Sequence, residues 1–209
     1  MNEKQPMEDL QHIKLMMERS SRFISLSGLS GIAAGICALA GAWMASVKIH
    51  CWVNGDCQLS RLINNAGSGL LNELFWIAAM TFLAAFVLAF FFTYLRSKKN
   101  KIPIWGTTTM RLFWNTLIPI AVGGIFLLRM MQLDEYQLVP PGCLLFYGLA
   151  LVSASKYTLS EIRYLGYGQI LLGLINLWFI GYGLQCWALG FGVFHILYGI
   201  IMWWKYERK

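Results

Sequence analysis

Apolar residues run along this chain in long unbroken stretches, not at the alternating or helical spacing of half-buried elements. A bilayer core about 30 Å thick takes about 20 mostly apolar residues in one helix. Six stretches meet that need. Residues 23–47 hold no Asp, Glu, Lys, Arg, His, Asn or Gln, and neither do residues 74–95. Residues 112–131 are apolar apart from Asn115 and Arg129, and residues 138–155 are short but clean. Residues 164–184 carry Gln169 and Asn176, and residues 186–204 carry His195. The pattern predicts an all-α polytopic membrane bundle of six transmembrane helices. A four-span arrangement would leave residues 138–155 in water. Ala38–Leu39–Ala40 has the small-x-small look of a leader cleavage site. The apolar run around it is far longer than the about 7–15 residues of a signal core, so it reads as a retained helix.

Composition agrees. The 209 residues are 57% hydrophobic and 13% charged, whereas a soluble domain carries about 25% charged residues. That excludes a soluble globular enzyme, and five cysteines are too few for a disulfide scaffold of this length.

Lys and Arg set the orientation, because they concentrate in short cytoplasmic segments. With the N-terminus inside, fourteen basic residues fall on the inner segments and only Lys48, Arg61 and Arg129 on the outer ones. Both termini are therefore expected in the cytoplasm, followed at the far end by a short tail, residues 205–209. The net charge of +7 is an orientation signal, and it calls for no nucleic-acid partner.

Residues 1–22 differ from the rest. Leu10, Ile13 and Met17 share one helical face, with Glu8, Asp9, Lys14, Glu18 and Arg19 elsewhere on the wheel. That predicts a cytoplasmic amphipathic helix lying on lipid or binding a protein partner. In the first span Ser27, Gly31 and Gly35 recur every four residues, as do Ala34, Ala38 and Ala42. Small residues at this spacing let helix backbones approach closely, within the bundle or across a homodimer seam. The tetrapeptide at residues 165–168 recurs with one change at residues 189–192, on helices of opposite direction.

Polar groups inside a membrane are the default candidates for function. Ser27, Ser30, Asn115 and Gln169 fall in the cytoplasmic half, with Asn176 and His195 near mid-membrane. Together they can line a cytoplasm-facing pocket for a small molecule, or each can bond a neighbouring backbone. Pro119 should kink the third span beside Asn115. His195 is the one histidine within a span, suited to proton switching or to polar packing. Glu73 and Arg129 can pair across spans two and three or snorkel outward. Cys51, Cys57, Cys143 and Cys186 all fall near the outer face, which suggests disulfides Cys51–Cys57 and Cys143–Cys186, against free thiols. No metal-ligand spacing, phosphate loop, hydrolase elbow, paired intramembrane carboxylates or cofactor motif is present. A non-enzymatic role is the expectation, as a sensor or partner-binding module at the cytoplasmic face, with a small-molecule transporter or binding protein as the alternative.

Residues 17–31, MERSSRFISLSGLSG, resemble the N-terminal signature of a six-span bacterial inner-membrane family without an assigned activity, and residues 157–166, YTLSEIRYLG, resemble its second block. The resemblance implies the bacterial inner membrane and contributes no catalytic residue. Both blocks lie at the cytoplasmic face, which points to Arg19, Arg22, Glu161 and Arg163 there.

Overall fold

A computed structural model describes residues 27–54, 68–100 and 106–208. The proposed amphipathic helix over 1–22, with Arg19 and Arg22, lies outside the described residues, as does Cys57. Among the described residues there is no strand. The helices are α1 (Gly28–Asn54), α2 (Ser68–Asn100), α3 (Thr107–Gln132), α4 (Val139–Ala154), α5 (Glu161–Trp178), α6 (Gly183–Trp187) and α7 (His195–Tyr206). A π-helical segment, Ala188–Phe194, joins α6 to α7 and makes one long element of them. Five elements are long and apolar enough to cross a membrane, at Gly28–Asn54, Gly69–Lys99, Thr107–Gln132, Tyr136–Ala154 and Ile180–Tyr206. Helix α5, with 18 residues, is not among these five. Its buried positions include Gln169 and Asn176, which makes it less apolar than its neighbours.

Small residues decide how the helices meet. Gly28, Gly31, Gly35, Ala38, Ala42 and Ala45 form a buried seam on α1 at alternating three- and four-residue steps. A Cβ at Gly35 would lie 2.7 Å from the Gly192 oxygen, and one at Gly31 would lie 3.2 Å from the His195 oxygen. Further along, Gly41 takes the side chain of Thr81 on α2. The small-residue face is thus filled by helices of the same chain, and its packing is internal. A second seam joins α4 to α5, where a Cβ at Gly148 would meet the Gly166 oxygen at 2.8 Å and one at Gly173 the Pro141 oxygen at 3.1 Å. In lipid, where apolar burial drives little, such backbone approach is what holds helices together.

The outer layers are α2 and α3. The first packs chiefly on α1 and the second on α4. The most apolar 18-residue stretch of α2 buries nothing within the chain. Phe82 is 72% exposed there, and Ile125 on α3 is 71% exposed. Large aromatic and aliphatic faces of this extent suit a hydrocarbon solvent and not water.

Several boundaries differ from the sequence expectation. Helix α5 stops at Trp178, not 184, and the last element starts at Gly183. Asn176 donates from Nδ2 to the Phe179 oxygen at 2.9 Å, and Phe179 leaves helical geometry with φ −117° and ψ 58°. Asn176 therefore closes a helix end. Helix α3 continues through Pro119 without a break. Its own end is a Schellman motif, with Glu135 N bonded to Met130 O, Asp134 N to Met131 O, and Asp134 left-handed at φ 62°. Aspartate tolerates that region better than most residues, and the motif satisfies carbonyls that the helix leaves open.

Candidate functional site

The deepest polar cluster lies where α4, α5 and the π segment converge. Gly190 has no side chain, and a Cβ there would lie 2.5 Å from Leu144 Cδ2 and 2.6 Å from Gln169 Oε1. The gap lets Gln169, which is fully buried, donate from Nε2 to the Gly190 oxygen at 2.7 Å. His195 Nδ1 reaches the same oxygen at 3.1 Å. A carbonyl can only accept, so Nδ1 carries the proton. Nε2 of the neutral ring is then the acceptor for the Tyr147 hydroxyl, at 2.8 Å. Every polar atom of the imidazole is thereby engaged.

The π segment shapes the cluster. π turns replace i→i+4 bonding by i→i+5, occur mostly as bulges inside α-helices and are frequent at functional sites. Trp187, Phe191 and His195 stack along it, with ring centroids 5.1 Å apart for the first pair and 6.0 Å for the second. Tyr147 on α4 closes the stack at 5.1 Å from Phe191 and 5.5 Å from His195. Two acceptors remain unmatched in this interior, Gln169 Oε1 and Asn176 Oδ1. A buried polar atom without a partner costs about 1–3 kcal/mol.

A second polar set lies at the end of the bundle where α1 begins and α2 and α7 finish. Glu207 accepts hydrogen bonds from the Gly28 amide and the Ser27 hydroxyl, and it pairs with Arg96 of α2. One carboxylate thus fastens three helices, and its charge suits the positive N-terminus of α1. Beside it Glu161, at the start of α5, accepts from Lys205 Nζ at 2.5 Å and from the Tyr206 hydroxyl at 2.9 Å. Partial burial works to raise the Glu161 carboxyl, but the bonds from Lys205 and Tyr206 outweigh it and hold the group below its ordinary 4.5. The exposed basic side chains Lys98, Lys99, Arg111, Arg163, Lys205 and Arg208 belong to the ends of α2, α3, α5 and α7, and Lys156 to the α4–α5 connection.

The residues expected to form one pocket are dispersed. Gln169 and His195 share the Gly190 oxygen, and Ser27 and Ser30 meet at the far end of the bundle. Ser27 bonds Glu207, and Ser30 returns its hydroxyl to the Ser27 oxygen. Asn115, on the peripheral α3, donates to the Arg111 oxygen at 2.8 Å and touches the Tyr157 hydroxyl at 3.5 Å. Arg163 reaches the Ser155 hydroxyl at 3.3 Å. Glu73 pairs with Lys48 at 3.1 Å and not with Arg129, which bonds Gln132 on its own helix.

The staple expected between Cys143 and Cys186 is not made, and both are free thiols. The two elements meet one turn earlier, where Pro140 packs into the space at Gly183. Cys51 does not stand among the free thiols Cys37, Cys143 and Cys186. Its proposed partner Cys57 lies outside the described residues. Among the described residues no three His, Cys, Asp or Glu side chains gather as a metal site.

Tyr147, Arg96 and Glu207 carry no distinct mark in the sequence, and Gly190 stands out only within the repeat at residues 189–192. Tyr147 resembles any aromatic in an apolar run. Arg96 and Glu207 read as ordinary flanking charges, although an acid in an otherwise basic tail was a usable signal. No family model, no curated protein and no solved structure matches this chain.

Proposed function

We propose that this chain is a six-span protein of a bacterial cytoplasmic membrane, termini inside, acting as a non-enzymatic sensor or partner-binding module at its cytoplasmic face. The observation that carries the reading is the Glu207 clamp, which gathers the ends of α1, α2 and α7 at one face. Together with the Glu161 contacts it makes that face a fixed platform ringed by exposed Lys and Arg. Those cations suit anionic headgroups, which attract about 1 kcal/mol per basic residue near the surface. Residues 27–31 and 157–166, from the two sequence blocks that resemble an inner-membrane family, lie at the same face, and the amphipathic residues 1–22 come before it in the sequence.

A photo-crosslinking residue at Lys98, Lys156 or Lys205, introduced in living cells, tests this. A single soluble adduct from these positions, absent from a probe at Glu135 and lost on deleting residues 1–22, is the expected result. Adducts that form equally at Glu135 would sink it. A small-molecule transporter or binding protein is the second reading, favoured by the unmatched acceptors Gln169 Oε1 and Asn176 Oδ1. Uptake of a polar solute into proteoliposomes, abolished in Gln169→Leu, would support it.

A further inference from the structure

The charges at the end of the bundle that holds the Glu207 clamp are not shared evenly. Towards α1, α2 and α7, Arg96 is paired with Glu207 and Lys205 with Glu161. Towards α3 and α4, Arg111, Lys156 and Arg163 have no carboxylate partner among the described residues. Residues 106–160 contain no acid but Asp134 and Glu135, which follow the opposite end of α3. Hydrogen bonds gather the three cations at one corner. Asn115 Nδ2 donates to the Arg111 oxygen at 2.8 Å and reaches the Tyr157 hydroxyl at 3.5 Å, which ties the start of α3 to the α4–α5 connection. Lys156 is the neighbour of Tyr157 in that connection. Arg163 Nε donates to Ser155 Oγ at 3.3 Å, and the Ser155 hydroxyl gives its own proton to the Val152 oxygen at 2.6 Å. Ser155 is buried, so the guanidinium is anchored through one N–H and keeps the rest of its fork for another acceptor.

Deeper in the bundle the helices at this corner change character in one order. On α3, Arg111, Trp114 and Ile118 are exposed and share a face, and on α5 Arg163, Tyr167 and Leu171 do the same. Steps of three or four residues put each set on one side of its helix. Both helices pack on α4, whose exposed position is Leu149, two turns before Lys156. Cation, aromatic ring and aliphatic surface follow the order of phosphate, interface and acyl chain in a lipid. We propose that this corner binds one anionic phospholipid, its phosphate held by Arg111, Lys156 and Arg163 and its acyl chains lying on the apolar columns. A phosphodiester supplies the negative charge that residues 106–160 do not provide at this end. The arginine forks can each take two phosphate oxygens, and Lys156 adds a point charge. A free phosphate matches the cations but leaves the columns unused, so the lipid is the occupant that uses both. The inference rests on the membrane-spanning reading and goes beyond the sensor reading, because a bound lipid needs no protein partner.

Native mass spectrometry of the full-length protein in a mild detergent, titrated with dioleoyl phosphatidylglycerol, tests it. One lipid should bind, and more tightly than dioleoyl phosphatidylcholine, whose choline cancels the phosphate charge. Each basic residue beside an anionic headgroup is worth about fivefold in affinity, or about 1 kcal/mol at 1.4 kcal/mol per decade. The triple variant Arg111→Gln, Lys156→Gln, Arg163→Gln should therefore weaken phosphatidylglycerol binding by about a hundredfold. A charge-matched control, Lys98→Gln, Lys99→Gln, Arg208→Gln, alters the α2 and α7 ends and should weaken it by less than about fivefold, because screening limits charge effects to about 10 Å. Arg111→Gln with Lys156→Gln, whose side chains make no hydrogen bond among the described residues, serves if the triple variant loses its helical circular dichroism. That pair should cost about 25-fold. Equal weakening in the two charge-matched variants would mean diffuse attraction and overturn the site. Displacement of the lipid by millimolar inorganic phosphate would also overturn it, since an anion site of that kind needs no acyl chain. The purified protein contains no partner, so failure of the crosslinking experiment is told apart from failure here.

Discussion

Gly28 on α1 and Gly199 on α7 lie backbone to backbone. A Cβ on Gly28 would sit 2.5 Å from the Gly199 oxygen, and a Cβ on Gly199 would sit 2.6 Å from the Gly28 oxygen. Neither neighbour can swing aside, because both are main chain. Gly199→Ala should separate α1 from α7 and destabilise the protein by about 1–3 kcal/mol, the usual cost of overpacking. Gly124, which has open space around it, should accept alanine without loss. Thermal midpoints of the two variants in one detergent make the comparison.

The Glu207 clamp predicts a non-additive pair. Glu207→Gln removes the ion pair and weakens the bonds to Gly28 and Ser27, and should cost about 1.5–3 kcal/mol, as for hydrogen bonds to a charged group. Arg96→Gln alone leaves the carboxylate part-buried without its cation. The double variant should lose less than the sum, since neither half then strands the other. Lys48→Gln at the opposite end breaks an ion pair with more solvent on it, where the side chains are 45% and 24% exposed. It should change stability by less than about 1 kcal/mol. Denaturation of the four variants checks both statements.

What the sequence made legible, and what it did not, follows the same physics. The Gly31 and Gly35 repeat announced close packing, because only absent side chains admit another backbone. It did not say that α7 would fill the seam, since any helix with its own glycines fits. Gln169 and His195 stood out as polar residues in apolar runs. Their meeting at the Gly190 oxygen depends on a π segment, and a change of helical pitch leaves no mark in hydropathy. Asn176 carried the same polar signal but acts at a helix end, where the turn at Phe179 and not the apolar run sets the boundary. Glu207 carries no distinct mark in the sequence, because a tail charge beside a span ordinarily faces water.

Acid should loosen the α5–α7 end. The Glu161 carboxyl is held below its ordinary value by Lys205 and Tyr206. Its folded-state pKa is depressed, so its stabilising contribution is full above the unfolded value and is lost as pH falls through the folded one. Spin labels attached at Glu161-adjacent Ser160 and at Arg208 should move apart below about pH 4, the ordinary carboxylate range. In Glu161→Gln that pH dependence should vanish. Persistence of the same acid response in the variant would assign it to another carboxylate.

Thiol counting distinguishes the cysteines. Cys37, Cys143 and Cys186 are free, and the proposed Cys51–Cys57 bridge would withdraw the other two. Alkylation of unfolded, unreduced protein should therefore add three labels by intact mass, and alkylation after reduction should add five. Five labels without reduction would rule the bridge out. Loss of Cys143 to serine should leave the unreduced pattern otherwise intact, because Pro140 against Gly183 already makes the α4–α6 contact.

The Gly190 site sets a packing cost against a polar one. Gly190→Ala places a methyl 2.5 Å from Leu144 Cδ2 and 2.6 Å from Gln169 Oε1. The amide must leave the Gly190 oxygen or α5 must withdraw, at about 1–3 kcal/mol. Gln169→Leu keeps the volume, removes one interhelical hydrogen bond and also removes the unmatched Oε1. Such bonds in membranes average about 0.6 kcal/mol, and the stranded acceptor offsets part of that. Gln169→Leu should therefore fall within about 1 kcal/mol of wild type, while Gly190→Ala is clearly destabilised. The double variant tests the mechanism, because leucine branches at Cγ and ends short of Oε1, yet Leu144 Cδ2 still meets the new methyl at 2.5 Å. It should be no more stable than Gly190→Ala alone. Recovery in the double variant would mean that the amide hydrogen bond, and not the close approach of α5 to the π segment, sets the cost at this site.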